Sequence, residues 1–332
     1  MNKKISSPAE LMNSIFAFRE ARIILTAFEL EIFSVLGSNS KSSKEISGII
    51  KTNERATDRL LNALVAIGLL IKENEKFSNT DFSLKHLVKY NPGFLGGITH
   101  SVHLWKSWST LTDAVKTGTS VMNREPVNDR DNLWLEGFIS AMHMRAKQSQ
   151  APGIAKLLNF KGVKKILDIG GGSGVFSFAM ITLNPELKAT IFDLPNVIKL
   201  TKLYIEKEGF KNKVGTVEGD YLKDELGTDY DLLFLSAIIH SNSHEENKLL
   251  FKKCFSALNK NGQLVIMDNI MDNERTSPYS GALFALNMLV GTQSGDTYTE
   301  VEVVGWMKEA GFSDFSRLDT EFDNTLITGI KK

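Results

Sequence analysis

Leu167-Asp168-Ile169-Gly170-Gly171-Gly172-Ser173-Gly174 places four glycines in five positions, directly after a short apolar run. Glycine has no side chain at Cβ, so such a turn lets the backbone reverse tightly and approach a ligand closely. The order strand, glycine-rich turn, helix is typical of nucleotide-type sites in sheets flanked by helices. A tight turn without a ligand is the alternative interpretation of this stretch alone.

Short apolar runs alternate with helical segments on both sides of this turn, which predicts an α/β fold with a parallel sheet covered by helices. The predicted strands are Ile166–Ile169, Thr190–Asp193, Val214–Glu218, Leu232–Ile239 and Leu264–Met267. The predicted helices are 175–183, 195–208, 244–259 and Thr299–Ala310, the last ended by Gly311 and followed by a strand pair near 316–331.

Polar residues stand at the ends of four further predicted strands: Asp193, Asp220, His240 and Asp268. In an open α/β sheet, ligands bind outside the carboxyl ends of the strands. Asp193 can accept hydrogen bonds from ribose hydroxyls, and Asp220 can accept from an adenine amino group with Tyr221 stacked on the ring. Alternatively, Asp193 caps the following helix, Asp220 is an ordinary turn residue and His240 is a polar residue without a catalytic role.

The spacing of the glycines distinguishes between cofactors. Dinucleotide sites follow G-x-G-x-x-G/A, whereas Gly170, Gly172 and Gly174 give G-x-G-x-G. A pyrophosphate is therefore not the natural ligand. S-adenosylmethionine carries no phosphate and needs carboxylates for its ribose and adenine, which this chain offers; an NAD-dependent dehydrogenase is a minor alternative.

The first ~100 residues predict helices followed by a small ribbon, the order of a winged helix. An apolar helix spans Ile15–Leu36, Ser42 and Glu45 begin a second helix, and Asn53 caps a third. Lys72–Asp81 is turn-rich, as a wing is. Residues ~100–160 are predicted to be helical and aromatic, interrupted by a loop at Asn123–Asp131.

Composition limits the function classes. Among 332 residues, 39 basic and 39 acidic side chains give zero formal charge, which argues against a nucleic-acid partner. The single cysteine, Cys254, excludes an internal disulfide, and no Cys/His cluster predicts a metal site. No signal peptide and no run of 18 apolar residues is present, so we expect a cytoplasmic protein without a membrane partner.

Across most of its length the chain resembles the O-methyltransferases of the plant caffeate and hydroxyindole type and their bacterial relatives. The matching segments are LDIGGGSG (167–174), ATIFDLP (189–195), EGDYL (218–222), LSAIIH (235–240), LNKNGQLVIMD (258–268), FALNMLVGT (284–292) and EAGF (309–312). The resemblance implies an all-helical winged-helix dimerisation domain with its short wing (1–100), a helical linker contributing to the acceptor pocket (101–160) and a Rossmann-like class I methyltransferase domain (161–332). It also implies a homodimer and a small aromatic acceptor.

The resemblance further implies residue roles. The catalytic pair is His240, the base that takes the acceptor proton, and Asp268, which orients it. The cofactor, converted to S-adenosylhomocysteine, is held by Asp168, Gly170, Gly172, Gly174, Asp193, Leu194, Gly219, Asp220, Tyr221 and Ser236. The acceptor pocket draws on Trp105, Met142, His143, Phe284, Asn287 and Met288, each of which is otherwise plain core.

The chain departs from the family pattern at two places. Relatives often follow the histidine with Asp-Trp, where this chain has Ser241-Asn242. At the position where the family has a further acid, this chain has Thr297, next to Asp296. The support of His240 is therefore in question, which leaves open N- or C-methylation and cofactor binding without methyl transfer. The winged helix separately leaves open a regulator that binds DNA. This regulator is disfavoured because Arg55 and Arg59 alternate with Glu54 and Asp58.

Overall fold

The computed structural model describes residues 4–122 and 132–332, the side chains of 132–134 excepted, and divides the chain between Trp105 and Lys106. The N-terminal unit contains helices α1 (Pro8–Phe16), α2 (Phe18–Glu29), α3 (Ile32–Leu36), α4 (Ser43–Ile50), α5 (Glu54–Ala66) and α6 (Asp81–His86), and strands β1 (Lys41–Ser42), β2 (Leu70–Glu73) and β3 (Lys76–Asn79). Helix α7 (Ile98–Trp108) spans the division.

Local capping explains where the N-terminal helices begin. The Ser42 hydroxyl accepts from the Glu45 amide while the Glu45 carboxylate accepts from the Ser42 amide, a capping box that starts α4. The Asn53 side chain accepts from the Ala56 amide at the start of α5. Strands β2 and β3 form the predicted wing, and β1 joins its edge. Phe33, Leu64 and Phe77 are fully buried between these helices and the wing.

The prediction of one buried helix over Ile15–Leu36 was wrong. The segment contributes to three helices: the helix is interrupted at Ala17, whose dihedral angles stay right-handed, and ends before Glu31, whose φ of 55° is left-handed. Helix α1 buries none of its residues within the chain, and Ile15 is 50% exposed. Its apolar side chains therefore face outward, in the region where a partner is expected.

The C-terminal unit continues with helices α8 (Leu111–Thr117), α9 (Asn132–Arg145), α10 (Ala151–Leu157), α11 (Val175–Leu183), α12 (Pro195–Lys207), α13 (His244–Ala257), α14 (Tyr279–Gly291) and α15 (Glu300–Ala310). Its strands are β4 (Lys165–Ile169), β5 (Lys188–Asp193), β6 (Val214–Glu218), β7 (Tyr230–Ser236), β8 (Leu258–Asp268), β9 (Ile270–Met271), β10 (Tyr298–Thr299), β11 (Ser313–Asp319) and β12 (Thr325–Ile330). A π-helical turn, Ala146–Gln150, joins α9 to α10.

Seven of these strands form one sheet in the order β11-β12-β8-β7-β4-β5-β6. The five neighbouring strands β8, β7, β4, β5 and β6 are parallel. Strand β12 pairs antiparallel with β8, and β11 pairs antiparallel with β12. The chain leaves β4 towards β5 on one side and later returns to place β7 on its other side. The glycine-rich turn after β4 therefore lies at the switch point of the sheet, where α/β proteins bind ligands.

Helices cover both faces of this sheet, as predicted. Alternate side chains of the central strands point to opposite faces, so Leu167 and Leu233 enter one buried cluster and Ile166 and Leu232 the other. Among the described residues, no helix combines the length and apolarity that crossing a bilayer requires. The predicted loop at Asn123–Asp131 lies outside the described residues.

The fourth predicted strand, Leu232–Ile239, ends earlier than expected. Strand β7 stops at Ser236, Ala237 has a left-handed φ of 57°, and Ile239–Ser241 form a 3₁₀ turn. His240 is therefore held in a tight turn beyond the strand and is not the last residue of the strand itself.

Candidate active site

The glycine-rich turn has the backbone geometry that its sequence predicts. Gly170, Gly172 and Gly174 have φ values of 66°, 55° and 82°, in the region that L-residues rarely adopt. A Cβ at Gly170 would lie 2.2 Å from the Ile238 side chain, and one at Gly174 would lie 2.5 Å from Ile191. The turn thus needs glycine both for its dihedral angles and for its close packing.

Asp193, the last residue of β5, fastens this turn from the neighbouring strand. Its Oδ2 accepts from the Gly172 amide and its Oδ1 from the Leu194 amide, both at 2.8 Å. Protein surrounds the carboxyl densely, and this burial raises its pKa to about 6 against the two amide hydrogen bonds. The alternative that Asp193 only caps the next helix omits its bond to Gly172.

Asp168 lies beneath the same turn and is 1% exposed. Burial raises its pKa to about 7, although Oδ2 accepts from the Ser177 hydroxyl at 2.7 Å. Its Oδ1 is buried and accepts no hydrogen bond from the described residues. Such an oxygen favours a ligand or water that supplies a donor, which fits a cofactor with an ammonium group better than one with a phosphate.

Asp220 and Tyr221 follow β6. Burial acts against ionisation of Asp220, but hydrogen bonds from Lys223 and the Leu222 amide outweigh it and lower the pKa of the carboxyl. Tyr221 is half-buried, and burial together with the charge of Asp193 raises the pKa of its hydroxyl. Beside them, a Cβ at Gly219 would lie 2.5 Å from the Phe192 ring.

His240 and Asp268 form a buried pair at the carboxyl ends of β7 and β8. The His240 Nδ1 lies 2.8 Å from Asp268 Oδ1 and 3.0 Å from Oδ2. The Asn269 amide also donates to Oδ1, so the carboxylate is fixed from two sides. Phe284 of α14 stands edge-on to the imidazole, with ring centroids 4.8 Å apart. These contacts fix the orientation of the ring through Nδ1, and Nε2 takes no part in the bond to Asp268.

Thr297, which stands where the resemblance expects a further acid, is buried at 2% exposure. Its backbone carbonyl accepts from Arg275, and Asp296 lies 3.6 Å from the same guanidinium. Asp296 is therefore engaged with Arg275.

The predicted acceptor residues come from three helices, α7, α9 and α14. Phe284, Asn287 and Met288 share α14, and Asn287 Oδ1 accepts from the Trp108 indole at 2.9 Å. Met142 is 37% exposed on α9. Trp105 lies in the N-terminal unit against Phe18 and Arg22.

His143 contacts the glycine-rich turn. Its Nδ1 lies 3.0 Å from the Ser173 hydroxyl, its ring packs on Tyr204, and Nε2 lies 3.6 Å from Glu208. This buried position, at 5% exposure, is beside the cofactor turn. Sequence reasoning missed Ser177, Trp108 and Asn247; only the aromatic content near Trp108 gave a signal for any of them.

Comparison with known proteins identifies the family. Residues 108–313 match the description of an O-methyltransferase domain, and residues 12–89 match an O-methyltransferase dimerisation domain. The 3-hydroxy-5-methyl-1-naphthoate 3-O-methyltransferase of Streptomyces sahachiroi is 28% identical over 94% of this chain and 92% of its own. The acetylserotonin O-methyltransferase of Gallus gallus is 27% identical over 90% of each chain.

Solved structures agree with the fold. PigF with SAH superposes with a TM-score of 0.88 at 23% identity, covering 98% of this chain and all of its own. Human N-acetylserotonin methyltransferase in complex with SAM gives 0.82 at 22% identity, covering 100% and 99%. The described residues contain no group of three or more His, Cys, Asp or Glu that could hold a metal ion. The chain belongs to the family of S-adenosylmethionine-dependent O-methyltransferases that carry an N-terminal dimerisation domain.

Proposed function

We propose that the protein methylates a hydroxyl group of a small aromatic molecule, with His240 as the base. The observation that carries this proposal is the buried His240–Asp268 pair beside the glycine-rich turn. An imidazole fixed by a carboxylate is suited to removing a proton near neutral pH.

Residues at the strand ends would hold the cofactor. The glycine turn and Asp168 would receive the methionine part, Asp193 with Leu194 the ribose, and Asp220 with Tyr221 and Gly219 the adenine, with Ser236 at the end of β7 between the cofactor and His240. The unpartnered, buried Asp168 oxygen and the close-packed glycines fit such a ligand. When bound, S-adenosylmethionine supplies a methyl group that its sulfonium makes reactive towards oxygen.

The chain's own task is then to place and deprotonate the acceptor. With Nδ1 of His240 donating to the Asp268 carboxyl group, the lone pair of the imidazole lies on Nε2. Nε2 takes the acceptor proton as its oxygen becomes the nucleophile. Alignment of the two reactants contributes much of the rate, because it removes the entropic cost of their encounter.

Three residues of α14 support an aromatic acceptor. Phe284 reaches the His240 ring, and Asn287 and Met288 follow within about one turn of the helix. The substrates in the names of the Streptomyces and Gallus relatives, a hydroxynaphthoate and acetylserotonin, are hydroxylated aromatic molecules. All six predicted acceptor residues, the three on α14 and Trp105, Met142 and His143, stay predictions.

We also propose a homodimer formed through residues 1–100, with 101–160 as the linker and 161–332 as the catalytic domain. The match to a dimerisation domain and the exposed apolar side chains of α1 support it, among them Leu11, Met12 and Ile15.

The test measures binding and transfer separately. S-adenosylhomocysteine should bind the wild-type protein and the His240→Ala variant with dissociation constants within twofold. Transfer of a labelled methyl group to a panel of hydroxynaphthoates and hydroxyindoles should fall roughly 100-fold or more in the variant. Equal turnover in both proteins would exclude His240 as the base.

A further inference from the structure

Asn242 lies at the centre of a buried hydrogen-bond chain, at one of the two places where the sequence departs from its family. The Tyr221 hydroxyl lies 3.0 Å from Asn242 Oδ1, and Asn242 Nδ2 lies 3.1 Å from Asn247 Oδ1. Asn247 Nδ2 in turn donates to the Ile239 carbonyl at 2.9 Å. The chain thus runs from the proposed adenine side of the cofactor site to the residue before His240.

The direction of every bond in this chain is fixed by its last member. A backbone carbonyl only accepts, so Asn247 must turn its NH₂ to Ile239 and its oxygen to Asn242. Asn242 must then donate through Nδ2 and accept through Oδ1, which obliges the Tyr221 hydroxyl to donate. A single arrangement of both amides satisfies all three contacts.

The surroundings make this arrangement costly to disturb. Asn242 is 3% exposed and Asn247 is fully buried. Tyr298, itself 1% exposed, donates its hydroxyl to the Asn242 carbonyl and packs edge-on against Trp306. Removing one member leaves a buried polar group without a partner, and a buried network tends to act as a unit.

We propose that Asn242 and Asn247 are positioning residues, which hold the Tyr221 ring in the cofactor site and the 3₁₀ turn of His240 in fixed register. In relatives with Asp-Trp after the histidine, a Trp occupies the position of Asn242. Here the amide ties Tyr221 to the catalytic turn through hydrogen bonds. The inference rests on the proposed cofactor role of Tyr221 and the proposed base role of His240.

A double-mutant cycle in S-adenosylhomocysteine binding tests the first half. Tyr221→Phe keeps the ring and removes only the hydroxyl, and Asn242→Leu removes the acceptor at similar volume. Each should raise the dissociation constant roughly three- to tenfold, and the double variant should match the weaker single variant within twofold. If the increases in the dissociation constant multiply in the double variant, Asn242 does not act through Tyr221.

Asn247→Leu tests the second half. It should lower kcat roughly tenfold or more and displace the pH profile of kcat, because the His240 turn loses its support at Ile239. Asn259→Leu is the matched control: this amide bonds Asp231 near the start of β8, at the opposite ends of the strands. It should lower thermal stability while leaving kcat and its pH profile unchanged. If both variants lose activity only in proportion to unfolded protein, Asn247 is merely structural.

Measurements on the wild-type protein distinguish failure of the proposed function from failure of the positioning proposal. If it does not bind S-adenosylhomocysteine, the proposed function fails. If it binds and the His240→Ala variant is inactive, but the variants of Asn242 and Asn247 behave like the Asn259 control, only the positioning proposal fails.

Discussion

Asp193 should make cofactor affinity depend on pH. Burial raises the pKa of this carboxyl to about 6, and under the proposed role the ribose hydroxyls donate to its ionised form. Protonation therefore competes with the ligand, and the apparent dissociation constant scales with one plus the ratio of protonated to ionised carboxyl. With that pKa, S-adenosylhomocysteine should bind about tenfold more weakly at pH 5 than at pH 7.5.

The variant Asp193→Asn should remove the part of this dependence that Asp193 contributes and leave the part that follows Asp168, whose pKa burial raises to about 7. An amide has one acceptor oxygen, and its NH₂ would face the Gly172 or the Leu194 amide, both of which donate to the native carboxylate. Affinity at pH 7.5 should fall roughly 10- to 100-fold, the range for hydrogen bonds to a charged group. Asp220→Asn is the matched control, because the pKa of Asp220 is lowered and that carboxyl stays ionised over this range.

Isothermal titration calorimetry between pH 5 and 8 measures both effects. Stability of the ligand-free protein changes in the opposite sense. A carboxyl whose pKa is raised by folding favours the folded state below its unfolded pKa and loses that contribution as the pH rises through about 6. Weak binding at pH 5 is therefore not explained by unfolding at this residue. A pH dependence that persists unchanged in Asp193→Asn would refute the reasoning and point to Asp168.

Three further perturbations test other parts of the site. A Cβ at Gly295 would lie 2.4 Å from the His240 carbonyl, so Gly295→Ala should lower turnover roughly 100-fold with little effect on S-adenosylhomocysteine binding in calorimetry, whereas Gly305→Ala, with open space at Cβ, should not. His143→Phe keeps the ring against Tyr204 but loses the contact to Ser173; cofactor affinity should fall roughly three- to tenfold, and a changed acceptor KM instead would return His143 to the acceptor pocket. Ile15→Glu on the exposed face of α1 should shift the sedimentation mass towards one chain, and a mass equal to that of Val115→Glu, an exposed control in α8, would place the dimer contact elsewhere.

The sequence predicted the elements whose signals are local. A few neighbouring residues suffice to predict the glycine turn, the capping box at Ser42 and the apolar strands. The strand order then brings Asp193, His240 and Asp268 to one edge of the sheet. The breaks at Ala17 and Glu31 were not predictable, because neither residue carries a glycine or proline signal.

Side-chain partners over long sequence separations were equally hidden. The contact between His143 and Ser173 joins helix α9 to the glycine-rich turn, and its aromatic and apolar surroundings resemble any core. Asn242 directly follows the 3₁₀ turn and Asn247 lies on α13, and only tertiary packing determines how these two elements meet. Residue type predicts which hydrogen bonds a side chain can make, whereas the fold determines which partner it makes them with.

Helix α14 has a separate consequence for how this protein diversifies. The residues proposed for the cofactor and the base lie on the strand ends and the turns after them, whereas Phe284, Asn287 and Met288, proposed for the acceptor, come from a helix outside the seven-stranded sheet. Under the proposed roles, substitutions along α14 would change which acceptor fits without altering a strand or the glycine turn. Acceptor choice and methyl-transfer chemistry are then assigned to separate elements of the fold, so one can diverge while the other is inherited.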